Sequence, residues 1–311
     1  KKSGANIAIN CAEGDWNIEV YKACLAEKVH VLDLGSDIPD TKEQMAMGPF
    51  FKEDNLIAIT GCGSTPGVNN IMLDYAHREF DHIDKIDVGF SWDSNIKKFV
   101  VPFSVESILD ELTEPAPVIE NGEWVTKIPL QNIKVADIRS IGKQKIFPVV
   151  HPETFTFYLN YDKEGLKDMT FYAGFPDHSL DKFMSFIELG LGSKEPIEIN
   201  GQKIRPVDAL THSLRRLKIP DGYLENENLW VEINGSKNNK PHHVLMECLV
   251  PTLPGWEDAG CNIDTGMTAS IIAQMIKDGR ITTRGSYTPA MAVPPEPFFT
   301  ELKKRKMDVY K

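Results

Sequence analysis

Two short stretches carry residue types that could do chemistry. The first is HPETFTF, residues 151–157, in which His151 and Glu153 stand two apart. The pattern predicts a strand over 149–159, which would set both on one face with Phe155 and Phe157 continuing it. A carboxylate beside an imidazole can hold a substrate amine and pass its proton through the histidine. The same spacing also fits an ion pair on a sheet surface, so the residues alone leave both readings open.

The second stretch is GCGSTPGVNN, residues 61–70, between the apolar run 56–60 and the apolar 71–73. Three glycines between a predicted strand and a predicted helix invite a phosphate-binding reading, and Asp87 follows Gly67 at roughly the fingerprint distance of about 20 residues. Context argues against it. Two α/β units already precede the loop, Pro66 stands where backbone donors are wanted, and no further parallel unit follows. Gly61, Pro66 and Gly67 are therefore expected to form the floor of a site beside a cofactor, without cradling its phosphates.

The elements that must position these residues begin with an α/β repeat. Strands are predicted over 7–10, 29–34 and 56–60, with helices over 15–27, 40–51 and 68–80. Such alternation implies a parallel sheet, and ligands bind at the carboxyl ends of parallel strands. Asn10 and Cys11, Asp33 and Gly35, and Gly61 occupy those ends and are the expected cofactor contacts. Asp33 could equally be a loop cap, and the glycines simple turns.

From about residue 85 the pattern becomes α+β. Strands are expected over 87–90, 99–103, 123–127, 149–159 and 169–175, a hairpin turning at Asn200-Gly201, and strands over 230–234 and 243–250. Helices are expected over 106–112, 206–217, 265–278 and 298–306, with an extended proline-rich segment at 289–297. The fold class is α/β: the C-terminal half of a Rossmann-like parallel sheet over 1–80, rejoined by about 262–311, plus an α+β substrate and dimerisation domain over 81–261.

Composition bounds the partners. Against 34 Lys and Arg stand 45 Asp and Glu, a formal charge of -11, which disfavours nucleic acid. The five cysteines lack metal-knuckle spacing and suit a reducing cytoplasm, so no metal is expected. Cys62 reads as a small buried residue. No apolar run reaches the roughly 20 residues of a membrane span, so no membrane partner is expected.

INCAEGDWNIEVYKACLAEKVHVLDLGSD, GCGSTPGVNN, TGMTASIIAQMIKDGRITTRGSY and PPEPFFTELKKR, with EPAPVIENGEW and IEINGQKIRPVDAL between them, resemble the saccharopine dehydrogenase-like family, most closely its L-lysine 6-dehydrogenases. The resemblance spans nearly the whole chain. It implies an NAD- or NADP-dependent oxidoreductase acting on a C–N bond of a small amino acid, working as a homodimer. His151 and Glu153 would be catalytic, and Thr65, Thr154 and Arg284 would touch the substrate. Some saccharopine-handling relatives resemble Gly-Leu-Asp-Pro-Gly at the loop, where Thr65 stands here, which weakens a saccharopine reductase reading. The resemblance further implies that the strand over 7–10 is about the fourth of its domain, so the chain is expected to be a fragment whose glycine-fingerprint half lies upstream. A truncated, non-catalytic interaction or regulatory protein is the alternative of a different class.

Overall fold

The structure, a computed structural model, describes residues 4–12, 14–35, 37–161 and 165–311. The chain begins with strand β1 (Ile7–Asn10), helix α1 (Asn17–Glu27), β2 (His30–Asp33), α2 (Ile38–Ala46), α3 (Gly48–Glu53), β3 (Ile57–Ile59) and α4 (Val68–His77). Where one helix is expected over 40–51, two form. Pro49 lies in the first turn of α3, where its missing N–H costs nothing, and it could not have continued α2. The side chain of Asp37 caps α2, accepting from the Asp40 N–H at 2.8 Å.

Then follow β4 (His82–Ser94), α5 (Val105–Thr113), β5 (Ala116–Glu120), β6 (Glu123–Lys127), β7 (Lys134–Ile138), β8 (Gly142–Pro148), α6 (Pro152–Tyr161), β9 (Asp168–Gly174) and α7 (Asp177–Glu188). The chain closes with β10 (Ile197–Ile199), β11 (Gln202–Ile204), α8 (Pro206–Leu214), β12 (Glu225–Lys237), β13 (Lys240–Pro251), α9 (Ile263–Lys277), β14 (Gly285–Tyr287), α10 (Pro289–Ala292), α11 (Pro295–Lys304) and β15 (Asp308–Tyr310).

Four strands make the first sheet in the order β1-β2-β3-β14, all parallel. Every residue of β3 is buried, as expected for strands covered on both faces. β14 comes from the far end of the sequence, and α9 returns with it to pack on β1 and β2. The second sheet runs β15-β13-β12-β4-β9-β5-β6, with β7 and β8 joined through β9. Only the β4–β9 pairing within it is parallel. Asn238 and Asn239, both left-handed, turn β12 into β13. One hydrophobic cluster joins Leu32 and Ile59 of the first sheet to Val231 and Ile233 of the second.

Several segments depart from expectation. Residues 99–103 form no strand. The region 149–159 is largely helix, because Pro152 sits at the first helical position and the residues after it wrap onto β9. The proline-rich 289–297 is mostly helical too: Pro289 and Pro295 each start a helix, α10 and α11. β15 was not anticipated; it pairs with β13 and takes the chain end back to the second sheet.

Candidate active site

The carboxyl ends of β1, β2 and β3 lie side by side, and Asp33 braces them. Its Oδ1 accepts from the N–H of Gly35 at 2.8 Å and of Gly61 at 2.9 Å. Its Oδ2 accepts from Tyr21 Oη and Gln44 Nε2, each at 2.7 Å. Gln44 in turn accepts from Thr60 Oγ1. Asp33 has no solvent exposure, and burial pushes its carboxyl up despite these donors. It is thus the brace beneath the crevice and presents no free edge to a ligand, a correction to its expected role as a cofactor contact. Asn10 is similarly engaged, donating to Asn17 Oδ1 at 2.7 Å, and Asn17 donates to the Gly35 carbonyl. Cys11 is exposed but off the cleft wall.

The glycine loop folds upon itself. The N–H groups of Gly61 and Cys62 go to Asp33, that of Gly63 to the Pro66 carbonyl, that of Gly67 to Asn70 Oδ1, and that of Val68 to the Gly63 carbonyl. These donors are consumed, so they cannot wrap a phosphate. The glycines serve packing instead. A methyl group at Gly35 or Gly61 would meet the Pro66 ring at 2.9 or 2.7 Å, and one at Gly67 would lie 1.8 Å from the Gly63 carbonyl oxygen. Ser64, Thr65 and Pro66 form the accessible tip and, with Leu34 and Gly35, wall a cleft of about 1130 Å³.

His151 lines the same cleft as the loop tip. Its Nδ1 bonds to Glu153 Oε2, and its ring stacks on Phe171 with centroids 3.9 Å apart. The histidine is 11% exposed and the glutamate not at all. The pair is therefore joined as expected, although by a different geometry: His151 immediately precedes α6 and Glu153 turns back from its first turn. Phe155 and Phe157 do not continue a common face, because a helix turns about 100° per residue. Thr154 is fully buried inside α6 and off the cleft wall. Arg284 precedes β14 at the amino end of the parallel sheet, opposite the cleft, where it donates to Asn55 Oδ1. Both were expected to touch substrate, and neither reaches the cleft.

The cleft also carries an acidic cluster that was not foreseen, and it reaches the loop tip, where Ser64 lies 3.2 Å from Thr265 beside Asp264. Glu111 of α5, Glu225 and Glu227 of β12, and Asp264 of α9 line the cleft. Burial pushes Asp264 up to about 7 and Glu111 to about 8, and Glu227 rises through burial and then the charge of Asp264. Trp92 of β4 stands directly opposite Glu227 across the β4–β12 pair, and it too lines the cleft. On the rim, Lys194 is paired with Asp110 and Arg205 with Asp208. Arg215, at the end of α8, is exposed and makes no ion pair with a described residue. The alternation Glu225-x-Glu227 at the head of a strand was the available signal, hidden because the strand was expected to begin only at Trp230.

Known proteins place the fold. Residues 63–308 match the family model described as the saccharopine dehydrogenase C-terminal domain. The chain is 28% identical over 258 residues to carboxynorspermidine synthase of Vibrio cholerae, covering 78% of this chain and 61% of that protein. It is 24% identical to carboxyaminopropylagmatine dehydrogenase of a Synechocystis species, covering 96% of this chain and 77% of that one. Its fold resembles that of apo saccharopine dehydrogenase (L-Glu forming) from Saccharomyces cerevisiae, with a TM-score of 0.75 at 12% identity, covering 98% of this chain and 84% of that one. Among the described residues, no helix is long and apolar enough to cross a membrane. With the matched domain spanning most of the sequence, the chain belongs to the saccharopine dehydrogenase family.

Proposed function

We propose that this protein oxidises or forms the C–N bond of an amine that also carries a carboxylate, using NAD or NADP. The observation that carries the reading is the His151–Glu153 pair, whose histidine lines the same cleft as the Ser64–Pro66 tip. Nδ1 is committed to a buried carboxylate, so Nε2 is the nitrogen left for proton transfer.

When bound, the dinucleotide supplies the hydride acceptor. Leu34, Gly35, Thr65 and Pro66 suit its nicotinamide end: they offer a small, rigid surface at the strand ends with no charge to clash with a cationic ring. An amine at neutral pH is protonated, and its nitrogen must lose that proton before its lone pair can assist hydride departure from the neighbouring carbon. His151 accepts the proton and Glu153 stabilises the resulting imidazolium. Hydride departure leaves an iminium ion, and water adds to its carbon to give an aldehyde and the released amine. In the reverse direction His151 returns the proton. Arg215 is the guanidinium open to the substrate carboxylate.

Within this class, the relatives' names favour a carboxylated secondary amine of the polyamine type over the lysine side-chain amine of a lysine 6-dehydrogenase. We further propose a homodimer in a reducing compartment, in keeping with five unpaired cysteines, with sedimentation velocity as the check on the dimer. The functional test follows reduced-cofactor absorbance of the full-length protein with NAD and NADP over a panel of carboxylated secondary amines, saccharopine and L-lysine. Turnover of the secondary amines at higher kcat/KM than L-lysine supports the reading, and turnover of L-lysine alone overturns it.

A further inference from the structure

Helices from both sheets open onto the cleft. α2 follows β2 of the first sheet, and α6 packs on β9 of the second. Ile38 and Pro39 at the start of α2, and His151 and Pro152 at the start of α6, all line the cleft. One turn further along, the same helix faces present Lys42 and Phe155, four residues after Ile38 and His151 respectively. There the two helices meet. The Lys42 Nζ stands 4.5 Å from the centre of the Phe155 ring, within the range of a cation–π contact.

Acids are plentiful around any lysine of this chain, with 45 Asp and Glu against 34 Lys and Arg, and Glu43 is the next residue. Among the described residues, Lys42 nonetheless forms no ion pair, and the aromatic face is its partner. Neither Lys42 nor Phe155 lines the cleft, so neither is placed to touch substrate or cofactor. Both ends of their contact are held. Two residues beyond Lys42, Gln44 donates to Asp33 Oδ2 at 2.7 Å and accepts from Thr60 Oγ1 at 2.9 Å, which ties α2 to the ends of β2 and β3. His151, just before α6, is bonded to Glu153 and stacked on Phe171 of β9. A continuous path of contacts therefore runs from the Asp33 brace through Lys42 and Phe155 to the imidazole.

We propose that Lys42 and Phe155 form a strut between the two sheets, a pair of positioning residues that sets the separation of His151 Nε2 from the floor at Leu34, Gly35, Thr65 and Pro66. This rests on the dehydrogenase reading for what happens at the two ends. The reacting carbon must offer its hydrogen to the nicotinamide while its nitrogen meets His151, and a shift of about 1 Å in such an alignment costs rate far more than it costs binding. An apolar side chain of similar length at position 42 keeps the bulk and loses the attraction to the ring face.

The test is single-turnover cofactor reduction by full-length Lys42→Met, Phe155→Leu, the double variant and Lys42→Arg, with a carboxylated secondary amine and saturating dinucleotide. Each of the first two should lower the rate by about threefold to tenfold, and the double variant should fall no further than either alone. Lys42→Arg keeps a cation over the ring and should return to within about twofold of the parent, with dinucleotide affinity and the pH midpoint of the rate unmoved throughout. In parallel, carbethoxylation of His151 is followed by peptide mass spectrometry with neither substrate nor dinucleotide present. It should quicken by about threefold in Lys42→Met and Phe155→Leu, where the helices part more often, and not in Lys42→Arg. Thermal melts confirm folding; Lys42 is exposed, so its variants can be read even where Phe155→Leu fails. Parental rates and parental His151 reactivity in Lys42→Met, losses that multiply in the double variant, or no recovery with arginine overturn the strut. A parent that reduces no cofactor while His151 reactivity follows this pattern sinks the dehydrogenase reading and leaves the strut standing. Turnover by the parent, with Lys42→Met unchanged in rate and in reactivity, does the reverse.

Discussion

His151 lies flat on Phe171, the ring planes 9° from parallel, while its Nδ1 is held by Glu153. The imidazole is thus oriented from two sides, by a π-face and by a buried carboxylate. Phe171 itself belongs to β9 and is wholly buried, so the second sheet sets the angle at which Nε2 meets the cleft.

Glu153→Gln removes the charge that compensates an imidazolium while keeping the side chain's shape. We expect kcat to fall by about tenfold or more, with the KM for dinucleotide changed less than about twofold. Steady-state kinetics across pH 6–9 would check this, and an unchanged kcat would remove Glu153 from the proton path.

Asp33→Asn replaces an acceptor of four hydrogen bonds by a group that brings its own donors to the same place. The expected cost is about 1–3 kcal/mol in urea unfolding, because a buried network loses matched partners. Asp33 is a brace in this account. A variant of full stability that has lost only dinucleotide affinity would restore it as a direct contact.

How much of this was legible in the sequence follows from range. The parallel sheet could be read because apolar runs such as 56–60 are local, and the His151–Glu153 pair because its members stand two apart in the chain, although the turn into α6, and not a shared strand face, is what joins them. The backbone form of 149–159 was misjudged since Phe155 and Phe157 alternate like a strand, yet Pro152 starts a helix. The acidic cluster was illegible because Glu111, Glu227 and Asp264 come from α5, β12 and α9, and only the tertiary fold brings them together. Arg284 was misplaced for a related reason: its distance from the cleft depends on the direction of β14, which the local sequence does not state.

Gly67→Ala tests the packing account of the glycine loop. Gly67 has φ 142°, and an added methyl group would fall 1.8 Å from the Gly63 carbonyl oxygen. The loop cannot absorb this without moving, so a loss of about 3 kcal/mol or more is expected in thermal or urea unfolding. A variant of normal stability would show that the loop has an alternative conformation.

Stability should fall as pH rises through neutrality. Asp264 and Glu111 are raised by burial from 3.8 and 4.5 to about 7 and about 8, so the folded chain holds protons that the unfolded chain releases. Their contribution is full below about pH 4 and is lost as pH climbs through those folded values. Melting temperatures between pH 5 and 9 should decline, and Asp264→Asn should flatten the decline. A variant whose curve parallels the parent would show that the carboxyl does not titrate in this window.

The measurement that bears most directly on the central claim is single-turnover cofactor reduction by the full-length protein, parent and His151→Ala, with a carboxylated secondary amine and saturating NAD or NADP. Reduced cofactor is expected from the parent and a rate lower by about a hundredfold from the variant, with dinucleotide affinity unchanged. Equal rates in the two proteins, or no reduced cofactor from the parent with any amine of this class, would contradict it.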